Sequence, residues 1–174
     1  MIPKISENTI TSRAIFSDNG RYRYRLTRTW DVDKNKGALL MLNPSKATEL
    51  ITDRTVMNVT NYLINKGYGG LEIINLFAYM TTDPSELTNR DHFYESFNDN
   101  YILEVVGSNE IDFVIIGWGS DPKDRVLRKR HVENLLIPYE HKLKCFQDEK
   151  MRKPRHPRDY SDSWTLVDYE FMYL

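Results

Sequence analysis

Residues Gly37-Ala-Leu-Leu-Met-Leu-Asn-Pro-Ser-Lys46 decide how this chain is read. The run from Ala38 to Leu42 is apolar throughout, too short for an amphipathic helix, and free of alternation. That is the pattern of a strand buried on both faces, as in parallel sheets covered by helices. Asn43-Pro44-Ser45 stops the run. Pro44 lacks a backbone donor and turns Asn43 away from helical geometry, so the strand ends in a rigid turn. Open α/β sheets bind ligands beyond the carboxyl ends of their strands, which is where Asn43, Ser45 and Lys46 fall. An isolated Asn-Pro reads equally as a plain turn, so a site requires other strands that end alike.

Two further buried-strand patterns do so. Leu71-Glu-Ile-Ile-Asn-Leu-Phe77 carries Asn75 near its carboxyl end, with Phe77 and Tyr79 just beyond. Ile111-Asp-Phe-Val-Ile-Ile116 breaks into Gly117-Trp-Gly-Ser120, where the glycines imply a backbone that comes close to something. A shorter strand, Lys142 to Phe146, precedes the basic run Lys150-Met-Arg-Lys-Pro-Arg-His-Pro-Arg158. Helix patterns alternate with these strands. Asp53 is placed to cap a helix from about Arg54 to Lys66, with Val56, Val59, Leu63 and Ile64 on one stripe and a stop at Gly67. A second helix spans about Glu95 to Gly107 and carries Phe97, Tyr101, Ile102 and Val105. The third, about Arg125 to Leu136, reads as basic on its exposed side through Arg125, Arg128, Lys129 and Arg130.

Upstream, Thr9 to Ser17 and Tyr22 to Trp30 read as a hairpin that turns at Asp18-Asn19-Gly20. A period of two puts Arg21, Arg23 and Arg25 on one face, read as solvated rather than phosphate-contacting. The aromatic ending, Trp164 to Leu174, is expected to pack back onto the core. The order implies one α/β domain over residues 1–174: a three-layer sandwich with a mostly parallel central sheet, plus an N-terminal β-hairpin. Crossovers of one hand bring Asn43, Asn75, Gly117 to Ser120 and His156 to the same sheet edge.

Composition excludes several classes. Over 174 residues the net charge is −1, so any nucleic-acid contact must come from a local patch. The single cysteine, Cys145, rules out an intramolecular disulfide framework. With no signal pattern and no apolar run of spanning length, the chain is expected to be a cytoplasmic monomer without a membrane partner. His92, His131 and His141 are read as surface residues without metal-ligand spacing, so neither metal nor cofactor is expected.

Three short motifs carry a resemblance: Met41-Leu-Asn-Pro-Ser-Lys46, Ile74-Asn75-Leu76 and His156-Pro-Arg-Asp-Tyr-Ser161. Together they resemble the uracil-DNA glycosylase superfamily. The chain is also similar to a bacterial family of unknown function, some members of which travel on staphylococcal mobile cassettes. The glycosylase resemblance implies that Asn43 orients the attacking water and that His156 donates to the leaving base. It implies that Asn75, with Ser45, Lys46 and Phe77, holds the base, and that Arg152, Lys153, Arg155, Arg158 and Tyr160 meet DNA. The residue types suit such chemistry. A flipped base is read along its Watson–Crick edge, an amide offers both donor and acceptor, and a histidine N–H can stabilise charge on the leaving base.

The departures from the best-known motif fall at the chemistry. Asn43 stands where a carboxylate would accept the water's proton, Ser45 where a tyrosine excludes thymine, and Lys46 where a histidine stands. Arg158, Asp159 and Tyr160 replace the serine, the second proline and the wedge leucine of the late loop. The resemblance with these departures implies a glycosylase-fold protein with little or no uracil excision. It would act by binding DNA, including uracil-containing DNA, or a DNA-mimicking glycosylase inhibitor protein. A working uracil-DNA glycosylase and a nucleotide or nucleoside binder are the alternatives.

Overall fold

The computed structural model describes residues 2–119 and 125–174. Its strands are β1 (Thr11–Phe16), β2 (Arg23–Thr29), β3 (Lys36–Met41), β4 (Gly70–Asn75), β5 (Ile111–Ile116), β6 (Leu143–Gln147) and β7 (Thr165–Asp168). They form one sheet in the order β1-β2-β4-β3-β5-β6-β7. The central four, β4-β3-β5-β6, are parallel, while the outer pairings β1·β2, β2·β4 and β6·β7 are antiparallel. The sheet is therefore mixed rather than mostly parallel. The reason is that both ends of the chain extend it: the hairpin joins through Leu26↔Ile73, and the C-terminal segment adds β7 beside β6.

Helices α1 (Arg54–Asn65), α2 (His92–Glu95), α3 (Asn98–Gly107) and α4 (Val126–Leu136) complete the fold. Alternation along β3 decides its two faces. Leu39 and Met41 pack with Val56, Val59 and Leu63 of α1, whereas Ala38 and Leu40 pack with Ile102 and Val105 of α3 and Val132 of α4. Each fully buried side chain of this kind contributes roughly 1.5–3 kcal/mol. Asp53 caps α1 through a 2.9 Å bond from the Val56 N–H to Oδ1, and Gly67, at φ +83°, lets the chain leave it. Ile64 is 44% exposed, contrary to the expected stripe. Eight residues past Val56, the helical period carries it about 80° off the stripe's centre, and Thr60 is buried instead.

The helix expected from Glu95 begins later. Asn98 is fully buried and its amide donates to the carbonyls of Asn75 and Leu76 at 2.8 and 3.0 Å, which pins the start of α3 to the end of β4. Phe97 stays 43% exposed. The basic side expected of α4 is exposed only in part, at Arg130. Arg128 binds Asp99 at 2.6 Å, and Lys129 is buried under the ring of Tyr173. The aromatic tail covers this helix because buried Glu133 accepts from the Tyr169 hydroxyl and the Tyr173 N–H at 2.6 and 2.7 Å. Cys145 of β6 lies beneath the same segment, where burial pushes its thiol up to about 11. No helix among the described residues is long and apolar enough to cross a membrane.

The arginine face of β2 departs most from expectation. A β-bulge interrupts the β1·β2 register, which passes from Ile15↔Arg25 to Phe16↔Arg23 and leaves Tyr24 as the extra residue. Arg25 faces α3, bridging Glu72 and Glu104 at 2.8 Å each, while Arg23 emerges on the α1 side, where Nη1 donates to the Ala47 carbonyl. Arg23 is only 3% exposed. It is a buried cation, not a solvated one.

Candidate functional site

Strand β3 lies between β4 and β5, so the parallel order reverses around it, and that is where doubly wound sheets open a crevice. The ends are tied together by bonds from Leu76 N to Met41 O at 2.8 Å, Phe77 N to Leu42 O at 3.0 Å, and Gly117 N to Leu40 O at 2.9 Å. Just beyond is a cavity of about 360 Å³ whose walls include Arg23, Asn43, Asp53, Asn75, Trp118 and His156. The strand ends thus bring together the three residues on which the motifs were read, Asn43, Asn75 and His156.

Asn43 commits its amide protons to the carbonyls of Thr81 at 2.7 Å and Pro44 at 3.1 Å, which leaves Oδ1 as the atom offered to a ligand. Asn75 is 1% exposed, and its Nδ2 has no acceptor among the described residues. The same holds for Trp118 Nε1 and Arg23 Nε. Burial lowers the Arg23 guanidinium to about 10 even though Asp53 acts in the opposite direction.

His156 caps the 3₁₀ turn Pro157–Asp159: its Nδ1 accepts the Arg158 N–H at 3.1 Å. Burial, and next the charge of Arg158, hold its pKa below the ordinary histidine value. The neutral ring therefore carries its proton on Nε2. Asn58 of α1 locks the turn by donating to the carbonyls of Pro157 and Arg158, both at 2.9 Å. Gly117 shows what its backbone approaches. A Cβ there would sit 2.8 Å from Met41 Sδ and 3.1 Å from Pro157 Cδ, so β5 passes directly under the His-Pro turn. Ser120 lies outside the described residues.

Asp53 does more than cap α1. Its Oδ2 accepts the Ser45 hydroxyl at 3.1 Å, and both residues line the cavity. Lys46 and Phe77 do not. Lys46 is exposed, and Phe77 packs in the opposite core layer beneath the guanidinium groups of Arg90 and Arg128, 4.8 and 5.9 Å from its ring centre. The strand ends at Asn75, so the alternation that would return Phe77 to the cavity side lapses.

The residues placed against DNA form no free basic patch. Arg152 and Arg155 share buried Asp148 at 2.7 and 3.3 Å, Lys153 pairs with Glu170 at 3.3 Å, and Arg158 with Asp159 at 3.5 Å. Tyr160 packs against Tyr62, Phe146 and Trp164, with ring centres 5.0–6.1 Å away, instead of projecting as a wedge. Arg158 alone of these five also lines the cavity. His92, His131 and His141 are exposed, and no group of three or more His, Cys, Asp or Glu side chains able to hold a metal ion occurs among the described residues.

Sequence reasoning brought Trp118 to this edge within the Gly117 to Ser120 loop, but missed Arg23 and Asp53 as wall residues. Asp53 carried a signal only as the cap of α1. Arg23 carried none, because its placement depends on the bulge.

No curated protein and no solved structure matches this chain. Residues 23–158 match the family described as "Protein of unknown function (DUF1643)", a span that begins at Arg23, ends at Arg158 and encloses the whole cavity wall. With well over half its length matched, the chain belongs to the DUF1643 family.

Proposed function

We propose that this protein recognises a carbonyl-rich nucleobase of the uracil kind, as a uracil-DNA glycosylase-like protein with little or no excision activity. The observation that carries this reading is that three residues lining one cavity, Asn75, Trp118 and Arg23, each hold a buried donor (Nδ2, Nε1 and Nε) without an acceptor among the described residues. A buried unpaired donor costs about 1–3 kcal/mol, so three around one hollow suit a ligand rich in acceptors. A pyrimidine-2,4-dione presents two carbonyls, and its single N3–H can meet the amide oxygen of Asn75 or Asn43. His156 adds a fourth donor through Nε2. The volume lies within the range usual for small-ligand sites, and the strand order 4-3-5-6 opens its crevice there. Asn43 has no basic lone pair to take a proton from water, which accounts for weak excision. The paired cations of the rim favour a free nucleotide or a short single strand over extended duplex.

Calorimetric titration with uracil, deoxyuridine, thymidine and cytidine tests the reading. Binding of the diones, weakened more than about tenfold by Asn75→Ala, is expected. Absence of binding by every pyrimidine ligand, nucleotides included, overturns it.

Asp53 favours a second reading, a working glycosylase. Its carboxylate faces the same cavity as neutral His156 and could supply the base that Asn43 lacks. Alkali-labile cleavage of a uracil-containing single strand by wild type, lost in Asp53→Asn, is the outcome this reading requires. Asparagine caps a helix about as well as aspartate but removes the charge that faces Arg23 and Arg28, so unfolding curves of the variant accompany the assay to separate chemistry from folding.

A further inference from the structure

Strand β2 runs antiparallel to β4, so its first residue, Arg23, lies beside the carboxyl end of β4. The contacts Arg23 N to Ala78 O at 2.9 Å and Tyr22↔Tyr79 fix it there. Five residues along β2, and past the bulge at Tyr24, Arg28 is buried on the same α1-side face. Its guanidinium is spent on neutral acceptors, Thr52 Oγ1 at 2.5 Å and Ile51 O at 3.3 Å, and its Nε has no acceptor among the described residues. Asp53 is the carboxylate whose charge acts on both arginines. Its oxygens already accept the Val56 N–H and the Ser45 hydroxyl. Two buried cations thus face one anion. An uncompensated buried charge is costly, and an occupant that brings a negative charge removes that cost.

We infer that the occupant carries a phosphate and that Arg23 holds it, so that the ligand is a uracil-type nucleotide rather than a free base or nucleoside. This rests on the base-recognition reading above. Arg23 suits the task because it lines the cavity with Nη1 anchored on the Ala47 carbonyl while its buried Nε has no acceptor among the described residues. Nε is half of the guanidinium edge that meets an oxyanion with parallel donors. Phosphate oxygens could come from a free nucleoside monophosphate or from a short strand; the chemistry at Arg23 is the same, and the test separates the two.

Deoxyuridine, deoxyuridine monophosphate, ribose 5-phosphate, inorganic phosphate and a uracil-centred trinucleotide are titrated into the full chain by calorimetry. The monophosphate is expected to bind at least about tenfold more tightly than deoxyuridine, with inorganic phosphate competing against it. Arg23→Gln should reduce that ratio to about twofold or less, and Arg23→Lys, which keeps the charge but loses the fork, should fall between. Unfolding curves of both variants confirm that each is folded; if Arg23→Gln is not, the phosphate competition and the lysine variant decide the matter. Tighter binding of the trinucleotide than of the monophosphate assigns the phosphate to a strand, and the reverse assigns it to a free nucleotide. Equal affinity for nucleoside and monophosphate overturns this inference and leaves base recognition standing. Equal affinity for ribose 5-phosphate and the monophosphate overturns base recognition and leaves the anion site. Failure of all five ligands overturns both.

Discussion

The Nδ1 atom of His156 accepts the backbone N–H of Arg158 at 3.1 Å, and this bond assigns the proton of the neutral ring to Nε2. Protonation of Nδ1 would break it. Because burial and Arg158 hold the folded pKa below the ordinary value of 6.5, the unfolded chain takes up the proton first as pH falls. His156 therefore costs no stability above about pH 6.5 and progressively destabilises the fold below it, levelling off beneath its own folded pKa. Urea unfolding of wild type and His156→Gln between pH 5 and 8 should diverge on the acid side, and nitrogen NMR should show the Nε2–H tautomer. A folded-state midpoint above the ordinary value would falsify the assignment.

Asn75 offers a trade between stability and recognition. Its Nδ2 is a buried donor with no acceptor among the described residues, so Asn75→Leu, of similar volume, removes an unmet polar group. Stability should stay level or rise by up to about 1 kcal/mol while pyrimidine binding disappears. A loss of more than about 2 kcal/mol would mean that the amide is satisfied within the fold.

Gly117 is expected to tolerate nothing larger. The new methyl of Gly117→Ala would meet Met41 Sδ at 2.8 Å and Pro157 Cδ at 3.1 Å, costing about 1–3 kcal/mol by overpacking. Met41→Ala should recover part of that loss in the double variant, because the nearest of three obstacles is removed, Leu39 Cδ1 at 3.1 Å being the third. Purely additive losses would place the strain elsewhere.

Asn58 acts through the His-Pro turn. With Asn58→Ala the carbonyls of Pro157 and Arg158 lose their 2.9 Å donors, and the turn that aims His156 loosens. The stability cost should be modest, about 1 kcal/mol, because these carbonyls are partly solvated. Ligand affinity should fall several-fold, with the His156 tautomer signal broadened. An unchanged affinity would remove Asn58 from the positioning role.

Asn43, Asn75 and His156 were legible because each sits where a local signal stops a strand or turn: Asn-Pro, the end of an apolar run, His-Pro. Those signals act over a few residues and need no tertiary information. The mixed sheet was less so, since a hairpin pattern does not tell whether its second strand will pair with β4. Phe77 was misplaced because the strand ended two residues earlier than its apolar pattern. Lys129 and Arg128 read as solvated because their partners, Tyr173 and Asp99, lie 44 and 29 positions away. Arg23 is the clearest case. A bulge is set by cross-strand packing, and one unpaired residue exchanges the faces of everything beyond it.

Cys145 turns the molecule into its own clock. Its thiol is buried beneath the C-terminal aromatic segment and, at about 11, is almost wholly protonated at neutral pH. A thiol-specific alkylating reagent can reach it only when that segment lifts from β6 or the sheet opens. As this is the chain's single cysteine, the labelling rate would report that opening event alone, without an engineered probe or a competing site. Comparing that rate with and without nucleotide would show whether filling a pocket at one end of the strands steadies the covering on the opposite face.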